Sequence, residues 1–194
     1  IRNSAEKIYP IQFQKYMPPT IITQNIETIK KFLIENKDIV TKPLYGNGGE
    51  GIFRSRIQDL TLQGIDENKN SLDEPIIAQK YIPEIVEGDR RIILIDGEYV
   101  GSVARIPQDN NLKANFHAGG KPHKTDLINR DKEICDALRY DLKKKNLFLV
   151  GIDIIGNYLT EINVTSPTGL KQINELNDLK LEKIYWDKLE KKFF

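Results

Sequence analysis

The sequence holds one cysteine, one methionine, one tryptophan and two histidines in 194 residues. The lone cysteine, Cys135, excludes a disulfide within the chain and suits a reducing compartment. It falls on the apolar side of a predicted helix, where core packing accounts for it. The two histidines, His117 and His123, lie in one polar stretch without cysteines nearby and make a poor metal pattern. No apolar run approaches the roughly 18 residues of a membrane span, and no signal-peptide pattern opens the chain. An excess of one charge is also lacking. The 29 basic and 28 acidic residues leave +1, so nothing global draws the chain to nucleic acid or to a membrane. The expected location is the cytoplasm. A chain of this length can bury a core in one domain or two small ones. The opening IRNSAEKIYPIQF has no initiator Met and reads as a chain entered mid-protein.

What is present is organised in two halves. Ser4 is predicted to cap a short helix carrying Ile8, Ile11 and Phe13, stopped by Met17-Pro18-Pro19. A β-branched strand over 20–23 follows. Asn25 then caps an amphipathic helix with Ile26, Ile29, Leu33 and Ile34 on one face. Residues 38–42 and 51–56 read as strands around a glycine loop, 57–75 as an exposed connection, and 75–80 as another strand. RRIILIDGEYVGSVARI reads as a hairpin turning at Asp96-Gly97. A long polar segment covers 106–126. Asn129 is expected to cap a helix with Ile134, Ala137, Leu138 and Leu142 inward, ending in Lys143, Lys144 and Lys145. LFLVGIDIIGNYLTEINV is a second hairpin, turning at Gly156-Asn157. A last helix over 181–193 would bury Leu181, Ile184, Leu189 and Phe193. The class is α+β, with two lobes of small sheets backed by helices.

Three constellations carry chemistry. In TKPLYGNGGEGIFR four glycines fall within six residues, just after Lys42. Bare backbone amides in such a turn can cradle a phosphate that the lysine also reaches. The stretch is neither the P-loop pattern nor a dinucleotide fingerprint, and a plain glycine-rich hairpin beside a solvated lysine fits it as well. In the second hairpin Asp153 interrupts one apolar strand, and Glu161 and Asn163 share a face of the other. Three oxygen donors on one sheet face suit Mg²⁺, which binds carboxylates together with substrate phosphates; the alternative is a half-buried strand with its polar side outward. The third set is cationic: Arg90, Arg91, Arg105, Lys113 and Lys121, of which Arg105 leads straight into the polar segment.

KPLYGNGGEGIFR, AQKYIP, EGDRRIILIDGEYVGSVARIPQ, NFHAGGK, VGIDIIG and LTEINVTSPTG occur in this order along the chain. With these stretches the sequence resembles the ATP-grasp ligases, and among them the bacterial glutathione synthetases. The resemblance implies an ATP-grasp fold with the nucleotide between two lobes. A central subdomain would cover 1–80 and a C-terminal one 81–194, with a lid at 106–121. An α/β domain would precede Ile1. It implies ATP and Mg²⁺, with Mn²⁺ as a substitute, and the ligation of γ-glutamylcysteine to glycine in a homo-oligomer. It places Lys7, Lys42, Gly46, Gly48 and Gly49 at the ATP phosphates. Gln79, Lys80, Tyr81 and Ile82 would line the adenine slot, with Asp89 near the ribose. Asp153, Glu161 and Asn163 would hold the metal. Arg91 and Arg105 would serve the reacting groups, and Lys113, Asn115, Lys121, Ser166 and Thr168, again with Arg105, the peptide. Lys113 and Lys121 stand where better-known members have arginine, and Gly169 where some have cysteine. Another ATP-grasp carboxylate–amine ligase and a non-catalytic ATP-binding module are the competing expectations.

Overall fold

The computed structural model describes residues 5–45, 51–59, 62, 65, 71–107 and 119–193. The chain forms two antiparallel sheets. The first contains β1 (Thr20–Asn25), β2 (Asp38–Pro43), β3 (Phe53–Arg56) and β4 (Ser71–Lys80) in the order β1-β4-β2-β3. Helix α1 (Ile26–Asn36) packs on it. The Asn25 side chain accepts from the Thr28 amide, as an N-cap should, and Ile26, Ile29, Phe32 and Leu33 meet Ile39 and Ala78 in a small core.

The second sheet orders β5 (Asp89–Ile95), β6 (Glu98–Ile106), β7 (Lys121–His123), β8 (Leu149–Ile155) and β9 (Tyr158–Asn163) as β7-β6-β5-β8-β9. Asp96 and Gly97 turn the β5–β6 hairpin with φ of 51° and 74°, the left-handed pair a tight hairpin needs. The unbroken apolar run of β5 has a simple cause: both faces of the strand are covered. Ile92 and Leu94 face α2 (Asn129–Lys144), with Ile134, Leu138 and Leu142. Ile93 and Ile95 face the other way, toward Ile173 and Leu181 of α3 (Leu170–Asn177) and α4 (Leu181–Phe193).

Several expectations need correction. The first helix is a 3-10 segment, Tyr9–Tyr16, broken at Phe13, and Ser4 lies outside the described residues. It packs against β9, so Tyr9 is buried in the second sheet's core and donates to Asp141 Oδ2 at 2.6 Å. Strand β4 begins at Ser71, inside the expected connection. Asn129 is the first residue of α2 and not its cap; the Ile128 amide is instead satisfied by the Asp131 carboxylate. Helix α3 has no counterpart in the reading of the sequence. Phe193, expected inside, is 62% exposed.

Candidate functional site

The face of the second sheet under α3 and α4 is apolar at one end only. Beyond Ile93 and Val103 the strands carry Asp89, Arg91, Arg105, Asp153, Glu161 and Asn163. Strand register places them side by side: Asp89 opposite Arg105, Arg91 opposite Asp153, and Asp153 opposite Glu161. A bulge in β9 sits at this point, since Asp153 pairs with Glu161 but Ile154 with Leu159. The extra residue, Thr160, lets Leu159 remain in the core while Glu161 turns to the opposite face. The Thr160 hydroxyl donates to the Asp153 carbonyl at 3.1 Å and closes the irregularity.

Asp153 is the hub. Arg91 grips it with two donors, Nε to Oδ1 at 2.5 Å and NH2 to Oδ2 at 2.8 Å, and Arg105 adds a contact at 3.0 Å. Burial alone would raise this carboxyl, but the Arg105 and Arg91 guanidiniums outweigh it and hold the pKa well below the usual carboxylate range. Arg105 is itself 2% exposed and forked onto Asp89 at 2.7 and 2.5 Å. Arg91 also donates to the Thr168 carbonyl at 3.0 Å, tying the 165–169 segment to the sheet. Gly151 permits this: a Cβ there would lie 2.6 Å from Pro167 and 3.2 Å from Arg91 Cδ.

The N-terminal segment closes the cluster from the side. Glu6 shares a hydrogen bond with Glu161, and burial, the Glu161 carboxylate and Asp153 push its pKa up to about 7. The pKa of Lys7 is lowered by burial and by Lys42, against the opposing pull of Glu161 and Glu6. Its ammonium donates to the Pro43 carbonyl of the first sheet at 2.9 Å. Lys7 therefore links Lys42 to the Glu161 end of the second sheet. Beside Lys42 lies a pocket lined by Val40, Lys42, Ile52, Gln79, Lys80, Tyr81, Ile82, Ile85 and Ile155, drawing on both sheets. Gln79 is buried and donates to the Thr20 hydroxyl at 2.9 Å.

The structure thus gathers Lys7, Lys42, Asp89, Arg91, Arg105, Asp153, Glu161 and Asn163, with Gln79 to Ile82 next to them. Lys121, Ser166 and Thr168 are exposed. Gly46, Gly48, Gly49, Lys113, Asn115 and His117 lie outside the described residues, as does most of 106–121. Glu6 was missed by sequence reasoning, although its place beside Lys7 in AEKIY was a usable signal. Asp153, Glu161 and Asn163 form an oxygen-only set of two carboxylates and an amide, which fits Mg²⁺ and leaves positions for phosphate oxygens. Among the described residues no three His, Cys, Asp or Glu side chains converge to hold an ion by themselves, so such an ion would need oxygens from a bound molecule.

Against known proteins, the family described as prokaryotic glutathione synthetase, ATP-grasp domain, matches residues 6–178. The chain belongs to that family. The glutathione synthetase of Agrobacterium fabrum is 44% identical over 193 residues, covering 99% of this chain and 60% of the relative. That of Thermosynechococcus vestitus is 42% identical over 189 residues, covering 93% and 57%. The chain therefore spans about 60% of the length of the curated glutathione synthetases it matches. Among solved structures, the ATP-grasp ligase PsnB, complexed with a precursor variant, Mg and ADP, superposes with a TM-score of 0.71 at 16% identity, over 100% of this chain and 60% of that one. The D-alanine–D-alanine ligase of Bacillus anthracis, complexed with ATP, gives 0.59 at 15% identity, over 90% and 60%. These likenesses show the ATP-grasp fold. Among the described residues no helix is long and apolar enough to cross a membrane.

Proposed function

We propose that this chain carries the nucleotide and metal machinery of a glutathione synthetase, which joins γ-glutamylcysteine to glycine with ATP. The observation that carries the reading is Lys7, which is fastened to the Pro43 carbonyl beside Lys42 and feels the charges of both Lys42 and Glu161. A carboxylate must approach a polyphosphate there, so cations have to surround the group in transfer.

In this reading the cysteinyl carboxylate of the dipeptide attacks the γ-phosphorus of ATP, giving ADP and an acyl phosphate. The glycine amine then attacks the acyl carbon, and inorganic phosphate leaves. The adenine lies in the pocket formed with Gln79 to Ile82. Lys7 and Lys42 take the phosphates, and the backbone amides of Gly46, Gly48 and Gly49 would supply further donors to them. Mg²⁺ held by Asp153, Glu161 and Asn163 would neutralise phosphate charge during the transfer. Arg91 and Arg105 hold Asp153 ionised and present guanidinium charge at the reacting end. Asp89, forked onto Arg105, fixes that arginine in place. Thr168, Ser166, Lys121, Lys113 and Asn115 serve the peptide. The thiol of such a substrate, like the single buried Cys135, suits a reducing cytoplasm.

The test is ADP formation that requires both γ-glutamylcysteine and glycine. ADP release satisfied instead by another acid and amine would assign a different ligase. Mg·ATP binding without any dependent turnover would leave a binding module.

A further inference from the structure

The amide of Asn163 can present either of its ends to a metal ion, and only the oxygen is a ligand. The strand itself does not choose between them, because the two ends have nearly the same shape. The neighbours do. On one side lies a Glu6 carboxylate oxygen, Oε1, at 2.6 Å; on the other lie an Arg91 nitrogen, NH2, at 3.2 Å and, farther off at 3.5 Å, the Asp153 oxygen Oδ2. Glu6 and Arg91 are both satisfied in one orientation, with the Asn163 nitrogen donating to Glu6 and the oxygen accepting from Arg91. Asn163 is 9% exposed, which leaves little room for water to replace these partners.

We propose that Glu6 is a positioning residue of the metal site, fixing the Asn163 amide so that its carbonyl oxygen faces the Asp153 and Arg91 side where the ion is held. This rests on the metal reading given above. Glu6 is well anchored for the task. Its own carbonyl accepts from the Ile162 amide, one residue before Asn163, at 3.2 Å. The following residue, Lys7, is fastened to Pro43, and Tyr9 is locked in the core. Glu6 acts through Asn163; it is not itself a ligand. Outer partners of this kind typically change metal affinity by about 10–100-fold.

The experiment titrates Mn²⁺ into protein saturated with ADP and follows free Mn²⁺ by electron paramagnetic resonance. Asn163→Ala and Glu6→Ala should each weaken Mn²⁺ by about 10–100-fold. The double variant should be no weaker than Asn163→Ala alone. Glu6→Gln, whose amide oxygen still accepts from Asn163, should stay within about threefold of the wild type. An unaffected Glu6→Ala, losses that multiply in the double variant, or a Glu6→Gln as weak as Glu6→Ala would overturn the proposal. If Asn163→Ala itself changes nothing, the metal reading of that residue fails instead, and the proposal falls with it. A second readout needs neither metal nor variant: the Asn163 side-chain amide protons should be protected from hydrogen exchange, and free exchange would also overturn the assignment.

Discussion

Arg90 and Arg91 are adjacent in sequence, sit on the same strand, and each forks onto an aspartate. They nevertheless do different work, because β-strand alternation sends them to opposite faces of one sheet. Arg90 meets Asp131 at 2.9 and 2.8 Å and the Gly156 carbonyl at 2.6 Å. Asp131 has no exposed surface and also takes the Ile128 amide, so both partners of Arg90 among the described residues are structural: a helix start and a hairpin turn. Arg91 meets Asp153, which Arg105 also grips and which lies opposite Glu161. The first pair is closed. The second, though more deeply buried, stays open to further charges, as part of a larger cluster with several carboxylates and cations. A bidentate arginine is therefore no sign of a site by itself; what marks one is charge in excess of what folding requires.

The largest effect expected is on the closed side. Asp131→Ala leaves the partly buried Arg90 guanidinium and the Ile128 amide without their shared carboxylate and should cost about 3 kcal/mol in chemical unfolding, with nucleotide affinity of the folded protein unchanged. On the open side the outcome inverts. Glu161→Gln should leave unfolding nearly unaltered yet weaken metal-dependent nucleotide binding by about 100-fold or more, since even indirect partners of a metal cost up to that. Equal stability losses for the two variants would erase the contrast. Lys42→Ala should weaken ATP by about 10-fold in calorimetry, the value of one charge-assisted phosphate contact.

The comparison sharpens further through pH. Burial, Glu161 and Asp153 raise Glu6 from 4.5 to about 7. Folded protein thus keeps a proton there that the unfolded chain releases near 4.5, and this contribution to stability is present below that pH and lost as pH rises through about 7. Glu6→Gln should flatten that slope in unfolding curves recorded across the window. A slope unchanged by the substitution would remove Glu6 from the charged cluster.

Much of this was legible in the sequence for local reasons. Asp153 and Glu161 stood out because they break apolar strands, Asn25 because a cap needs only its own first turn, and the hairpins because Asp96-Gly97 and Gly156-Asn157 sit between apolar runs. What escaped depends on distant partners. Arg90 and Arg91 look alike until helix α2 is laid on one face. Glu6 acquires its role from Glu161 and Asn163, more than 150 positions away. Helix α3 is short, with Leu170, Ile173 and Leu176 as its apolar side, and only the Ile93 and Val103 face gives it something to cover.

The central claim is that one phosphate chain is held between Lys42 and the strands bearing Asp153, Glu161 and Asn163. The most direct measurement is the anomalous scattering of Mn²⁺ in crystals grown with a non-hydrolysable ATP analogue. The account predicts the manganese peak against Asp153, Glu161 and Asn163, with the terminal phosphate between it and the Lys42 ammonium. A peak elsewhere, or a phosphate chain directed away from those strands, would contradict it.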